Sequence, residues 1–224
     1  MILNSFTKTY HKKTILSFPG MELTQGKIYA VIGSNGSGKS TFARILSGTL
    51  NPDGAAVPFQ NCDFSIGYLP QRPYIFHMSV KANLLQNGSG NRSADIEKAS
   101  QLMEALDLTG LSNIRAPRLS GGEAARMALA RLLMKNYSLL ILDEPAAAMD
   151  ISSTLQTEIL LKNYCHANDS IILLITHSIK QALRVADEVF FFKDGFLIEH
   201  GASQDVLSHP QKKGTAEFLD FYAG

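Results

Sequence analysis

Tryptophan is absent from the chain and cysteine nearly so, with two residues, Cys62 and Cys165, among 224. Two widely separated cysteines make neither a disulfide framework nor a thiolate metal cluster. Each reads as a small buried hydrophobe in a reducing compartment. An excess of one charge is also lacking: 21 Lys and Arg stand against 20 Asp and Glu, for a formal charge of +1. With no basic tract, nucleic-acid binding is not expected. Long apolar runs are missing too. Leu139–Leu142 stops at Asp143, and Ile171–Ile175 stops at Thr176. Both fall far short of the roughly 18–20 residues that cross a bilayer. Ile2 and Leu3 are followed at once by polar residues, so no signal peptide is read. The chain is expected to stay inside the cell unless a partner carries it to a membrane.

What remains is a chain 45% hydrophobic and 18% charged, the composition of a folded globular protein. Its length suggests one domain over 1–224 with a small insertion. Residues 1–27 read as short strands with turns. Strands are expected at Ile28–Ile32, near Ser65–Leu69, and at Leu139–Leu142, Ile171–Ile175 and Val189–Phe192. Phe196–Ile198 should return antiparallel after a Lys193-Asp194-Gly195 turn. Helices are expected near Lys39–Leu46, Val80–Leu85, Ala94–Leu106, Thr154–Tyr164 and Ser178–Val185, with two short ones in the tail. Another should run from Gly121 to about Lys135, with Ser120 as N-cap and Glu123 as capping-box partner. Strands alternating with helices indicate an α/β fold with a mostly parallel sheet. Residues from about 72 to 118 read as an inserted, mostly helical subdomain.

Gly33-Ser34-Asn35-Gly36-Ser37-Gly38-Lys39-Ser40-Thr41 fits the phosphate-loop pattern G-x-x-x-x-G-K-[ST] in full. A strand precedes it and a helix follows, as the motif requires. The glycines let backbone N–H groups converge on a phosphate chain, and the helix N-terminus adds partial positive charge. Lys39 is expected to reach the β- and γ-phosphates, and the Ser40 hydroxyl to ligate Mg²⁺. The apolar run Leu139–Leu142 ends in Asp143 and Glu144. Asp143 is placed to hold Mg²⁺ directly or through water, and Glu144 to polarise a water for in-line attack.

A third stretch narrows the class. Leu119-Ser120-Gly121-Gly122-Glu123 resembles the signature motif of ATP-binding-cassette (ABC) proteins, and essentially the whole chain is similar to their P-loop NTPase core, which carries an N-terminal antiparallel β region. The resemblance implies further roles. Tyr10 would stack on adenine. Gln71 would touch Mg²⁺ or the attacking water and sense the γ-phosphate. His177 would contact that phosphate and hold the water and Glu144 in register. Asp150 corresponds to the aspartate of the D-loop. Ser120, Gly121, Gly122 and Glu123 would close over ATP bound to a second copy, in an ATP-induced head-to-tail dimer. The chain departs from the usual pattern at Ala124-Ala125, where the family commonly has two glutamines, and in Ala147-Ala148-Met149, where it has Ser-Ala-Leu or similar.

The resemblance also implies a transport ATPase at the cytoplasmic face of the membrane, a peripheral subunit. An integral permease would dock on the helical subdomain near Pro73–Leu85, where Tyr74, Ile75, Phe76 and Met78 form an apolar run. The chain looks most like compact importer ATPases, and among them resembles the tungstate or molybdate group, which work with an extracytoplasmic solute-binding protein. An exporter ATPase is the alternative. A soluble non-transport ABC ATPase is disfavoured by the one P-loop, the one signature and the lack of coiled-coil heptads. A module without hydrolysis is disfavoured by Glu144 and His177.

Overall fold

The computed structural model describes residues 1–60 and 64–222, so Cys62 lies outside the described residues. In chain order the strands are β1 (Ile2–Leu3), β2 (Phe6–Tyr10), β3 (Lys13–Phe18), β4 (Met21–Glu22), β5 (Ile28–Gly33), β6 (Ile66–Leu69), β7 (Leu139–Asp143), β8 (Ile171–Ile175), β9 (Glu188–Lys193) and β10 (Phe196–Ala202). The helices are α1 (Lys39–Leu46), α2 (Val80–Leu85), α3 (Arg92–Ala105), α4 (Gly121–Leu133), α5 (Ile151–Asn168), α6 (Ile179–Val185), α7 (Ser203–Ser208) and α8 (Lys213–Tyr222).

Eight strands form one sheet in the order β2-β3-β10-β9-β5-β8-β7-β6. From β9 to β6 all neighbours are parallel. The antiparallel region comprises β2 on β3 and the separate pair β1 on β4. β5, β7 and β8 are buried along their whole length, which is why they read as nearly continuous apolar runs. Their alternate residues feed two cores, as the two-residue strand period dictates. Ala30, Ile32, Leu140, Leu142, Ile172 and Leu174 face the helices α4, α5 and α6. Tyr29, Val31, Leu139, Ile141, Leu173 and Ile175 face α1. Phe42 of α1 anchors the second core, its ring 4.9 Å from Phe18 and 5.3 Å from Phe192.

Between β6 and α4 the described backbone is helical or irregular, with α2 and α3 packed on α4 through Val80, Leu84, Leu102, Met127 and Leu133. This is the inserted helical region. Asp95, though buried, is satisfied: it accepts hydrogen bonds from the backbone N–H of Ser89 and Gly90 and from the Ser89 hydroxyl.

Several strands extend by a residue or two beyond the expected bounds, and α5 and β10 by four or more. Helix α5 starts at Ile151 because the Asp150 carboxylate accepts from Ser153 N at 2.8 Å, and it ends at Asp169 in a left-handed conformation. Strand β10 runs on to Ala202 because it stays paired with β9 down to Glu188. Cys165 is buried, donates to the carbonyl of Ser170, and has its thiol pushed up to about 11 by burial. No helix among the described residues is long and apolar enough to cross a membrane.

Candidate active site

Parallel register brings the candidate residues to one edge of the sheet. Val31 of β5 and Asp143 of β7 both pair with Ile175 of β8, and Leu69 of β6 pairs with Leu142. The segments after these strand ends carry Gly33 to Thr41, Gln71, Glu144 and His177. They surround a cavity of about 240 Å³ lined by Ile15, Asn35, Gly36, Gly38, Lys39, Ser40, Thr41, Gln71, Glu144 and His177. Ligands of open α/β sheets bind at this end of the strands.

The loop backbone needs its glycines. At Gly33 φ is +147°, and a Cβ would lie 2.1 Å from the carbonyl oxygen of Phe192. At Gly38, the residue before α1, φ is +101° and a Cβ would lie 2.9 Å from the carbonyl oxygen of Ile15. Inside this loop Lys39 folds back, its Nζ donating to the carbonyls of Gly33 at 2.8 Å and Ser34 at 2.9 Å. Burial lowers the Lys39 pKa, against the opposing pull of Glu144 and Asp143. The Ser37 hydroxyl is buried and has no hydrogen-bond partner among the described residues.

Asp143 is buried at the end of β7. Burial raises its carboxyl pKa, and a hydrogen bond from the Ser40 hydroxyl works the other way. Glu144 has φ of +53°, an uncommon conformation for a residue with a side chain, and such residues concentrate at functional sites. Both its carboxylate oxygens are engaged. Gln71 Nε2 donates to Oε2 at 2.8 Å, and His177 Nε2 contacts Oε1.

The remaining site residues lie apart from this cavity. Ser120 caps α4, with Glu123 N donating to its Oγ at 3.3 Å and Ser120 N donating to Glu123 Oε2 at 2.7 Å. Hydrogen bonds to the Glu123 carboxylate from the Ser120 backbone N–H and from the Ser120 side chain hold its pKa below the ordinary value. Gly121 lines a separate apolar pocket of about 260 Å³, together with Gln71, Ala124, Ala125, Glu144, Ala147 and Ala148. Both stretches that depart from the ABC pattern therefore border one pocket. Asp150 is taken up as the cap of α5. Tyr10 is half exposed beside Lys8, whose Nζ lies 5.4 Å from the ring centroid.

Sequence reasoning missed Ile15, a cavity wall contributed by β3. It also missed Thr154, Thr176, Ser178 and Gln181, which line a second cavity of about 270 Å³ bordered by Glu144 and His177. Only the alternation of β3 hinted at Ile15, and nothing local marks the other four.

The sheet, the phosphate loop at its edge and the acidic strand end define a P-loop ATPase. The model of the family described as "ABC transporter" matches residues 18–147. The zinc import ATP-binding protein ZnuC of Vibrio vulnificus is 32% identical over 213 residues, covering 93% of this chain and 78% of that protein. The chain belongs to the ABC transporter family, as an ATP-binding and ATP-hydrolysing subunit coupled to transport. Other relatives are named for sulfate/thiosulfate import, arginine transport and Fe(3+) import. The chain spans 65% of the first of these, from Synechocystis, at 28% identity over 98% of its own length. The fold is shared with the dimeric ATP-binding cassette MJ0796 bound to ADP and Pi, with a TM-score of 0.79 and 22% identity over 91% of this chain and 99% of that one.

Proposed function

We propose that the chain powers import through a separate membrane permease, and that the residues around Glu144 carry out the hydrolysis. The observation that carries the reading is the Glu144 carboxylate, held between Gln71 and His177 at the mouth of the phosphate-loop cavity. Lys39 would leave the carbonyls of Gly33 and Ser34 for the β- and γ-phosphates of ATP. The N–H groups of the Gly33–Thr41 loop would cradle the phosphate chain, and Tyr10 would stack on adenine. Glu144 would release one partner, orient a water against the γ-phosphorus and accept its proton. His177 would hold Glu144 and the phosphate in register.

The donors available fit Mg²⁺. The Ser40 hydroxyl, the Asp143 carboxylate and Gln71 are hard oxygen ligands. Among the described residues there is no group of three or more His, Cys, Asp or Glu that could hold a metal alone. The remaining ligands would thus be nucleotide phosphates and water, the usual arrangement for this ion. Bound there, Mg²⁺ supplies positive charge to the phosphate oxygens.

Ser120 to Glu123 lie outside the cavity, at the start of α4, where the helix N-terminus favours phosphate and the Ser120 hydroxyl would turn from Glu123 to meet it. A head-to-tail dimer, in which each signature closes over the other copy's ATP, uses both halves. Asp150 would then act beside that interface through the loop it anchors.

Residues 72–118 form the proposed subdomain within the 1–224 unit, and the permease would dock there. A groove of about 440 Å³ between Tyr68, Pro73, Tyr74, Phe76, Ala128 and Arg131 supports this, with Tyr74 and Phe76 exposed. The subunit would sit on the cytoplasmic face of the membrane, with an extracytoplasmic solute-binding protein in the same system and no nucleic acid. Importer names among the relatives favour import over export. An oxyanion such as tungstate or molybdate is the narrower proposal for the cargo, resting on overall likeness alone. Crosslinking and mass spectrometry in the native cell tests the reading. A polytopic membrane protein crosslinked near residues 73–85 supports transport, and a co-purified solute-binding protein supports import. Recovery of ribosomes or DNA-repair subunits without a membrane protein overturns it.

A further inference from the structure

His177 is held by its backbone from two sides. On one side β8 fixes it, with Thr176 N donating to the carbonyl of Val31 at 3.2 Å. On the other stands α6, which begins two residues later at Ile179 and is only seven residues long. A helix that short has little stability of its own, and tertiary contacts must hold it. Its apolar face packs into the core through Ile179, Ala182 and Val185.

The polar face carries the specific restraint. Glu158 of α5 is buried, with 4% of its surface exposed. Its carboxylate accepts from Gln181 Nε2 at 3.2 Å, Arg184 Nε at 2.8 Å and Arg184 Nη2 at 2.6 Å, all on α6. The Arg184 bonds form a planar two-point fork, which fixes angle as well as distance. Lys162 of α5 adds a bond to the Arg184 carbonyl. Gln181 also lines the cavity bordered by His177 and Glu144, and its N–H donates to Ser178 Oγ at 3.1 Å. The same Ser178 is bound through its own N–H to Thr176 Oγ1 at 3.0 Å. A continuous set of bonds thus runs from Glu158 to the residues on either side of His177. At the far end α5 is itself anchored, because Arg126 of α4 donates to Ser153 Oγ at 2.9 Å.

We propose that Glu158 is a positioning residue for hydrolysis: its buried carboxylate clamps Gln181 and Arg184 of α6 and so keeps the His177 imidazole against Glu144. This rests on the role given to His177 above. Removing the clamp leaves the phosphate loop untouched, so it affects turnover and spares ATP capture.

The test uses the full chain with Glu158→Gln, which keeps the size and removes the charge. Arg184→Lys is a second variant that keeps the charge and breaks the fork. Two quantities are read: steady-state ATP turnover, and the ring-proton NMR resonance of His177, assigned by its loss in His177→Ala. Both variants are expected to lower kcat by about tenfold to a hundredfold, the penalty of a small misplacement. KM for ATP should stay within about twofold, and the His177 resonance should move. An unmoved resonance, an unchanged kcat, or a raised KM with kcat intact overturns the proposal. His177→Ala separates the two readings. If it turns over as fast as the parent, the role of His177 fails. If it is slow while Glu158→Gln leaves the resonance in place, the Glu158 proposal fails alone.

Discussion

Replacing Lys39 with Ala removes an ammonium that is already bonded before nucleotide arrives. Its Nζ donates to the carbonyls of Gly33 and Ser34, at 2.8 and 2.9 Å. Hydrogen bonds to a charged group contribute about 1.5–3 kcal/mol each. ATP binding exchanges these carbonyl partners for phosphate oxygens, so only the difference appears as affinity. That difference is about the worth of one charged bond, which corresponds to a loss of roughly 10- to 150-fold in ATP affinity. Burial already disfavours the charged form of Lys39, so its removal is not expected to unfold the chain. Calorimetric titration with ATP, without added Mg²⁺, measures the effect, and a parallel thermal melt checks the fold. Unchanged affinity would refute the phosphate-cradle role. A falling melting midpoint with intact affinity would make Lys39 a structural clamp on its own loop.

Asp143→Asn should raise the melting midpoint of the nucleotide-free protein at neutral pH while hydrolysis falls. Burial raises the Asp143 pKa, so its favourable contribution is present below the ordinary carboxyl pKa and is lost as pH rises through the folded value. Asn removes that loss, and thermal melts across pH should show the gain growing from acid towards neutral; a midpoint below the parent's at neutral pH would contradict it. Ser120→Ala breaks the capping box at α4 and should cost about 1 kcal/mol, read by denaturant unfolding. Phe42→Ala empties the aromatic contact between α1, β3 and β9 and should cost about 3–5 kcal/mol in the same assay. Equal costs for the last two would mean that Phe42 is not the anchor of its core.

Local signals carried much of the fold. The bounds of α1, α2 and β8 fall where glycines, caps and apolar runs put them, and the Ser120–Glu123 capping box is formed as its spacing implies. The phosphate loop was equally legible, because its chemistry lies in consecutive residues. The length of α5 was not, since the Asp150 side chain reads as a loop residue until its bond to Ser153 is seen. Pairings between distant residues were also hidden. Gln71 and Glu144 are 73 positions apart, and Glu158 and Arg184 are 26 apart. Tertiary packing decides such contacts, and no local periodicity marks them. For the same reason Glu158 looks in the sequence like any helical surface acid, though it is buried.

The proposed mechanism requires Glu144 to serve hydrolysis in a site completed by a second copy of the chain. Glu144→Gln keeps the side chain's size and its contacts within reach of Gln71 and His177, and removes the carboxylate that accepts the proton. Sizing by light scattering with and without Mg-ATP, alongside phosphate release, tests the claim most directly. The variant is expected to bind ATP, to release phosphate far more slowly than the parent, and to accumulate as a dimer only when ATP is present. Phosphate release at the parent's rate, or a slow variant that binds ATP and stays monomeric with it, would contradict the claim.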